Sequence, residues 1–223
     1  MAVFNMQTED SAEVEQDRIT VPGRDGDLLS TSYRYANTSH QYMAVIYKNF
    51  AANMRQFRDA VLAQRGYKQL VDSFHPDEFY MARYVGPVGL DTMEGSGMGK
   101  VLVEFDRKPQ RWLTSGQTEV SVDAGGTITN PTKQYSQPLI HVTGYGNLYI
   151  NSGRLTVANT YPDVYIDCEM MDCYYMDGTT SVNANDSVSI REVDFPTLRP
   201  GSNSITYANT ITAVTFVPRW WRA

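Results

Sequence analysis

Residues that build reactive centres are scarce in this sequence, which has two cysteines and three histidines among 223 residues. A structural zinc site takes four cysteine or histidine ligands, whereas Cys168 and Cys173 stand five residues apart without a histidine nearby. Neither cysteine lies in a recognisable motif of a catalytic nucleophile. The sequence therefore predicts two reduced thiols, no bound metal and no cofactor.

Long hydrophobic runs are also missing. A membrane-spanning helix needs about 18 consecutive apolar residues, and no stretch of the sequence approaches that length. The opening "MAVFNMQTED" lacks the basic segment and the apolar run of a signal peptide. We therefore expect a protein that stays in the cytoplasm where it is made and has no membrane partner.

Positive charge is in deficit, because 19 lysines and arginines face 25 acids and the net charge is −6. Proteins that grip nucleic acids neutralise phosphates with an excess of basic side chains, so this balance argues against sequence-specific nucleic-acid binding. Five of the acids fall within residues 1–17, which contain no basic residue. This segment predicts a solvated arm.

Catalytic motifs are absent or incomplete. There is no G-x-S-x-G phrase, and "GSGMGK" at 95–100 is too short for a phosphate-binding loop. The densest titratable group is "DSFHPDEF", with Asp72, His75, Asp77 and Glu78, and an acid–base site can be drawn from it. A histidine before proline among polar residues is more typical of a solvated turn, and no convergent carboxylate pair identifies a glycosidase. We predict that the protein is not an enzyme.

One helix is predicted, over about residues 50–64. Four apolar residues recur at intervals of three and four, which places them on one helical face: Phe50, Met54, Phe57 and Val61. Asn49 is a suitable N-cap and Gly66 a suitable stop. The stripe predicts a helix that packs on a sheet.

Strands dominate the rest of the chain. "HQYMAVIYK", "EFYMARYV" and "KVLVEFDRKP" are typical of strands in the first half. Between the last two, "GPVGLDTMEGSGMG" at 86–99 has five glycines and predicts a long mobile loop. The turn-rich "VDAGGTITNPTKQYSQP" then indicates a domain boundary near residue 130. We predict a β-rich domain with one helix over residues 1–130 and an antiparallel β-sandwich over residues 131–223.

The three tryptophans follow two similar phrases. "KPQRW" ends at Trp112, and "VPRWW" contains Arg219, Trp220 and Trp221. Proline ends a strand ladder, so each tryptophan is expected at a sheet edge or seam, and arginine and tryptophan are enriched at interface hot spots. In a strand, neighbouring side chains point to opposite faces, so one of the terminal pair can close its own sandwich while the other contacts another domain or another copy. Stacking of these aromatic rings, or of those in "CYYMDG", on a sugar is the alternative.

Several phrases in order resemble the distal tail protein family of long-tailed phages and prophages of Gram-positive bacteria. The resemblance is carried by the following phrases and runs from about residue 17 to the end: "VPGRDGDL" at 21–28, "YKNF", "GYKQLVDSFHPDEFYMARYVGP", "VEFDRKPQRWLTSG" and "LRPGSNSITYANTITAVTFVPRWW". It implies a ring, generally a hexamer, formed by the amino-terminal domain, with a galectin-like sandwich as the carboxy-terminal domain. We accordingly predict interface roles for Arg24, Trp112, Arg219, Trp220 and Trp221.

The resemblance also implies a function. Members of that family are structural proteins of the virion tail, where the ring joins the major tail tube protein to the tail-associated lysin or hub protein and to other baseplate or receptor-binding proteins. A galectin-like fold does not by itself bring sugar binding. A carbohydrate-binding adhesion module of the tail tip is therefore kept as the alternative.

Overall fold

The structure is a computed structural model that describes residues 2–4, 11–47, 49–86, 89–93, 98–192 and 194–223, with the backbone alone at 2–4, 31–33, 89–93 and 98. Most regular structure in these residues is strand, with a single α-helix. The chain divides into two compact units, Met1–Arg111 with Ala223, and Trp112–Arg222. The predicted mainly β fold class with one α-helix is confirmed.

The first unit contains one main sheet, a helix and a separate hairpin. Its elements are β1 (Ala2–Phe4), β2 (Val14–Ile19), β3 (Leu28–Tyr35), β4 (Thr38–Ile46), α1 (Phe50–Leu62), β5 (Lys68–Leu70), β6 (Glu78–Tyr84), β7 (Gly89–Met93) and β8 (Met98–Leu113), whose end belongs to the second unit. The main sheet has the order β1-β4-β8-β6-β5, and β7 also pairs with β8. β2 and β3 form a two-stranded antiparallel sheet of their own.

The core of the first unit is small and lies between the sheet and the helix. Its buried apolar residues are Ala44, Ile46, Met54, Val101 and Val103. They come from alternating positions of β4 and β8, which share one face of the sheet, and from one position of α1. Phe50, Phe57 and Val61 of the predicted helical stripe are only partly buried against this cluster. The helix therefore packs on the sheet as its periodicity indicates, but it leaves part of its apolar face uncovered.

Three local expectations in the first unit differ from the structure. Asn49 precedes α1 with a left-handed backbone and makes no side-chain capping hydrogen bond. The predicted loop at 86–99 contains β7 and the start of β8, which form an antiparallel pair, because the backbone hydrogen bonds of such a pair can be made even by a glycine-rich segment; residues 87–88 and 94–97 lie outside the described residues. Within the predicted arm at 1–17, β1 pairs with β4 and β2 begins at Val14, whereas residues 5–10 lie outside the described residues.

The second unit is an antiparallel β-sandwich. Its strands are β9 (Val120–Ser121), β10 (Thr127–Asn130), β11 (Leu139–Gly144), β12 (Gly146–Ile150), β13 (Gly153–Val157), β14 (Asp163–Asp167), β15 (Asp172–Asp177), β16 (Thr180–Asn183), β17 (Val188–Ile190), β18 (Gly201–Tyr207), β19 (Ile211–Val217) and β20 (Trp221–Arg222). One sheet has the order β10-β18-β12-β13-β17 and the other β16-β15-β14-β11-β19-β9. Short 3-10 turns occupy Thr114–Gln117 and Asn185–Ser187.

The core of the second unit lies between these two sheets. β11, β14 and β19 contribute alternating buried residues from one sheet, and β12, β13 and β18 contribute them from the other. Because every second side chain of a strand faces the same way, the short alternating segments of the sequence suffice to form two apolar inner faces. The sandwich is confirmed, and its likeness to galectins stays a prediction.

The division between the two units differs in position from the predicted boundary. It falls between Arg111 and Trp112 rather than near residue 130. The turn-rich segment that suggested the boundary includes β10, which pairs with β18 inside the sandwich. Turn-forming residues mark ends of strands as well as ends of domains, so composition placed the boundary too late, after β9 and β10 of the second unit.

Candidate interaction surface

The carboxy-terminal segment folds back on the sandwich after β19. Pro218 is buried, and Arg219 adopts a left-handed backbone with φ of 56°. The Arg219 N–H donates to the Gly116 carbonyl at 2.7 Å, and the Trp220 carbonyl accepts from the Leu113 N–H at 2.9 Å. Pro218 has no N–H to donate, so it ends the hydrogen-bonded ladder of β19. The turn at Arg219 then sets the direction of the two tryptophan side chains.

Arg219 is anchored by an ion pair inside the second unit. Its guanidinium donates from Nη1 to Oδ1 of Asp167 at 2.7 Å and from Nη2 to Oδ2 at 2.8 Å. The backbone N–H groups of Glu169 and Met170 also donate to the Asp167 carboxylate. Burial by itself would raise the pKa of Asp167, but hydrogen bonds from Arg219 and the backbone outweigh it and hold that pKa below its ordinary value. Arg219 thus fixes the path of the terminal segment within its own unit.

The two terminal tryptophans have different environments. Trp220 is 5% exposed and belongs to the core of the sandwich. Its backbone lies so close to Gly116 that a Cβ there would collide with the Trp220 nitrogen. Trp221 is half-buried, and its indole Nε1 donates to the Tyr135 carbonyl at 2.8 Å. The core of its own unit therefore covers Trp220, which corrects the prediction that it is an interface residue, because the turn after β19 directs its side chain between the sheets of the sandwich.

The remaining aromatic candidates are partly committed within the chain. Trp112 is half-buried, and its Nε1 is buried without a hydrogen-bond partner in the described part of the chain. Tyr174 and Tyr175 of "CYYMDG" stack on Tyr165 and Tyr161, with ring centroids 5.2 Å and 4.0 Å apart. A stacked ring has one face fewer for a sugar.

Arg24 lies in the first unit, at the turn of the hairpin formed by β2 and β3. The turn uses Gly23 and Gly26 at φ of 80° and 77°, which glycine adopts without steric cost. Arg24 is exposed, and its N–H donates to the Val21 carbonyl at 3.2 Å. The "VPGRDGDL" phrase therefore builds a hairpin end.

The apolar residues beside this turn were missed by the sequence reasoning. Ile19 and Leu28 are directly opposite each other across the hairpin, and they are 51% and 40% exposed. Leu29, the partner of Arg18, is exposed on the opposite face. The available signal was the presence of large aliphatic residues on both sides of a polar turn.

Hydrogen bonds and an ion pair hold the turn "DSFHPDEF", which contains the densest group of titratable residues. Asp72 Oδ1 accepts the backbone N–H groups of Phe74 and His75, both at 3.0 Å. Glu78 pairs with Arg111, with Oε2 and Nε 2.8 Å apart. These contacts are those of a capped turn followed by a strand.

The structure also bears on metal and membrane binding. Across the described ranges, no group of three or more histidine, cysteine or acidic side chains is arranged to hold a metal ion. No helix among those residues is long and apolar enough to cross a membrane. Both cysteines are buried and free, and burial raises the pKa of each thiol, that of Cys173 to about 12.

The fold resembles that of a phage protein whose structure is solved. The crystal structure of the SPP1 Dit protein, described as a paradigm of the hub adsorption apparatus in phages that infect Gram-positive bacteria, matches with a TM-score of 0.68 at 14% identity, over 96% of this chain and 90% of that one. The phage P2 baseplate in its activated conformation with Ca matches with a TM-score of 0.48 at 9% identity, over 96% of this chain and 89% of that one. No protein-family model and no curated protein sequence matches this chain. The chain therefore has the fold of the SPP1 Dit protein over nearly its whole length.

Proposed function

We propose that this chain is a structural protein of a phage tail tip, a distal tail protein whose ring connects the tail tube to the adsorption apparatus. The shared fold with SPP1 Dit supports this proposal, since it extends over 96% of this chain. The order of the "VPGRDGDL", "VEFDRKPQRWLTSG" and "TFVPRWW" phrases supports it independently. In this proposal the protein is part of the virion tail and is made in the cytoplasm of the bacterial host.

The observation that carries ring formation is the exposed hairpin of β2 and β3. A two-stranded sheet is marginally stable in water by itself, because it has little apolar surface to bury. Here the hairpin exposes Ile19, Leu28 and Leu29 to solvent in a single copy. Covering Ile19 and Leu28, which share one face of the hairpin, with a neighbouring copy stabilises the hairpin and the ring together. A closed ring uses two unlike patches on each chain, and a hexamer is the stoichiometry that we propose.

The proposed partners act on the faces and the rim of that ring. The major tail tube protein stacks on one face, the tail-associated lysin or hub protein on the other, and receptor-binding or other baseplate proteins attach around them. Arg24 at the hairpin end, Trp112 and the half-buried Trp221 are the proposed contact residues, whereas Arg219 positions Trp221. The role is mechanical and requires no catalysis; the structural use of the Asp72 turn supports this view.

The oligomeric state tests the proposal. Light scattering on the purified chain is expected to give a species of about six times 25.1 kDa, and micrographs are expected to show rings. Arg24→Ala is expected to lower the ring fraction at least about tenfold because it removes a proposed contact side chain, whereas Arg18→Ala, on the opposite face of the hairpin from Ile19, is the matched control. A chain that stays monomeric at every concentration, with and without tail tube protein, would contradict the proposal.

Glycan binding by the second unit is a second candidate function, favoured by a cleft of about 390 Å³. Its floor includes Leu155 and Phe195, and its rim includes Tyr135, Arg154 and Glu192. Tyr135 is 62% exposed, and the Nε of Arg154 is buried without a hydrogen-bond partner among the described residues. An exposed aromatic ring beside polar groups suits a sugar ring.

An array of bacterial wall glycans probed with the full-length chain tests this candidate. Binding that Tyr135→Ala abolishes would support it, with Tyr145→Ala as the control, since Tyr145 is also exposed but does not line the cleft. If no glycan on the array binds the chain, glycan binding is ruled out as a function of the second unit.

A further inference from the structure

We propose that an apolar groove in the first unit receives the hairpin end of a second copy of this chain. The inference rests on the proposed ring and names the two unlike patches that a ring requires. The first patch is the hairpin end, defined as Ile19, the turn at 20–27 and Leu28. The second is the α1 groove, lined by Phe57 and Val61 of α1, by residues of β4 and β8, and by the segment 70–74.

The α1 groove has a volume of about 340 Å³. It lies between the helix, the sheet and the segment that follows β5, and its apolar lining includes Ala44, Phe57, Val61, Val103 and Phe105. The segment after β5 adds Val71 and Phe74, which are 58% and 65% exposed. An open groove with exposed aliphatic and aromatic walls is typical of a surface that contacts another protein.

Tyr42, Asp72 and Ser73 add polar groups to the lining of the groove. The Tyr42 hydroxyl donates to Asp72 Oδ2 at 3.3 Å, and burial, with the nearby Asp72 charge, raises the pKa of Tyr42 to about 12. The hydroxyl therefore stays neutral and its proton is already used. The Asp72 carboxylate accepts this hydrogen bond and those of the Phe74 and His75 N–H groups, so it stays hydrogen-bonded when an apolar side chain enters the groove.

The packing of the helix explains why the groove is open. Met54 is the one buried residue of α1, whereas Phe57 and Val61, one and two turns further along, are partly buried. Their uncovered faces point into the groove. The apolar layer between α1 and the sheet is therefore incomplete, and an apolar side chain from another copy can complete it.

The hairpin end offers side chains of the matching kind. Ile19 and Leu28 form a cross-strand pair on one face, next to the turn. They are exposed in the single copy, so the chain does not cover them with its own groove. Two aliphatic side chains on a narrow hairpin can enter a groove that a flat surface cannot.

Charge favours the same pairing. The hairpin segment 13–35 carries five carboxylates and three arginines, whereas the helical segment 50–65 beside the groove carries three arginines and one aspartate. Arg55 and Arg58 are exposed on α1. A net acidic hairpin is therefore attracted to a net basic helix, while two hairpins repel each other. Charge therefore favours contact between a hairpin and the helix of a neighbouring copy over a symmetric contact between two hairpins.

Cysteine cross-linking tests the contact directly. Leu28→Cys and Val71→Cys each replace an exposed side chain, and the native Cys168 and Cys173 are 1% and 2% exposed and do not compete. Mixing the two single variants under mild oxidation is expected to give a covalent dimer containing one chain of each. The double variant is expected to give a ladder of covalent oligomers up to the closed ring.

A matched control uses the other face of the hairpin. Leu29→Cys is equally close to the turn but lies opposite to Leu28, so its cross-linking yield with Val71→Cys is expected to be at least about tenfold lower. Ile19→Asp is likewise expected to weaken self-association at least about tenfold, and Leu29→Asp much less. Circular dichroism checks that each variant chain is folded before assembly is measured.

The outcomes separate the inference from the proposed function. Rings in micrographs without the Leu28–Val71 cross-link, or with a stronger cross-link from Leu29→Cys, would overturn the hairpin contact and leave the ring standing. A chain that forms no assembly under any condition would overturn both. Cross-linking by Leu28→Cys together with loss of rings in Ile19→Asp supports both.

Discussion

Arg219 and Asp167 form a bidentate ion pair in the sandwich, with N–O distances of 2.7 Å and 2.8 Å, although they are 52 residues apart in the sequence. The pair joins the carboxy-terminal segment to the end of β14. Because the Arg219 backbone is left-handed at φ of 56°, the ion pair helps to hold a conformation that is unfavourable by itself. The path of the final residues therefore depends on it.

Asp167→Asn is expected to lower the free energy of unfolding by about 2 kcal/mol. This loss of stability is smaller than for a fully buried ion pair, because the Arg219 side chain is 17% exposed to solvent. Chemical denaturation of the second unit measures the change. Asp163→Asn is the control, since its 42% exposed carboxylate pairs with His141 and should contribute less than about 0.5 kcal/mol.

The same pair should make stability depend on acid pH. The folded-state pKa of Asp167 lies below its ordinary value of 3.8, so its contribution is present above about pH 4 and is lost as the pH falls through the folded-state pKa. The difference in unfolding free energy between the native chain and Asp167→Asn should therefore shrink from pH 5 towards about pH 2. A difference that stays constant over this range would contradict the assignment.

Gly116→Ala is expected to destabilise the second unit by about 2 kcal/mol, because the new Cβ would collide with the Trp220 backbone. Gly153→Ala is the matched control. Its Cβ would meet its nearest neighbour, the Ile150 carbonyl oxygen, at 3.4 Å, an ordinary contact. Thermal unfolding of the two variants should differ clearly; equal melting temperatures would show that the close approach at Gly116 can relax.

Trp220→Ala and Trp221→Ala should have different effects. Trp220→Ala removes a core side chain and is expected to cost about 4 kcal/mol in unfolding free energy. Trp221→Ala should cost about 1 kcal/mol and weaken assembly more than folding, because the indole is half-buried and donates a hydrogen bond to the Tyr135 carbonyl. Unfolding and light scattering on the same samples check both. Normal assembly and unchanged stability of Trp221→Ala would remove its proposed interface role.

The two free thiols should report on unfolding of the sandwich. Cys168 and Cys173 are buried, and burial raises the pKa of both, so little thiolate is exposed in the folded chain. At pH 8, labelling by a thiol reagent should be at least about 100-fold slower in the folded chain than in urea. Asp167→Asn should accelerate it. Rapid labelling of the folded native chain would contradict the burial of these residues.

Periodicity predicted much of the local structure because the signals are themselves local. The stripe of Phe50, Met54, Phe57 and Val61 placed α1 correctly, since an i, i+3, i+4 pattern suits a helix that packs on a surface. Alternating residues in "LIHVTG" and "ITAVTFV" placed β11 and β19. Glycine content was less informative: at 86–99 it suggested a loop where β7 pairs with β8, because strand pairing depends on the partner strand as well as on local propensity.

The sequence by itself determined that Trp220 and Trp221 would have different environments, since neighbouring side chains of an extended segment point in opposite directions and cannot both enter one core. Only the tertiary structure decided which of them enters the core, because that depends on Gly116 and the sandwich, which are distant in sequence. It likewise decided that Arg219 pairs with Asp167, that β10 belongs to the second unit, and that Ile19 and Leu28 remain exposed beside a half-covered helix. Burial and pairing are properties of the assembled sheets, so a pattern within one segment cannot specify them.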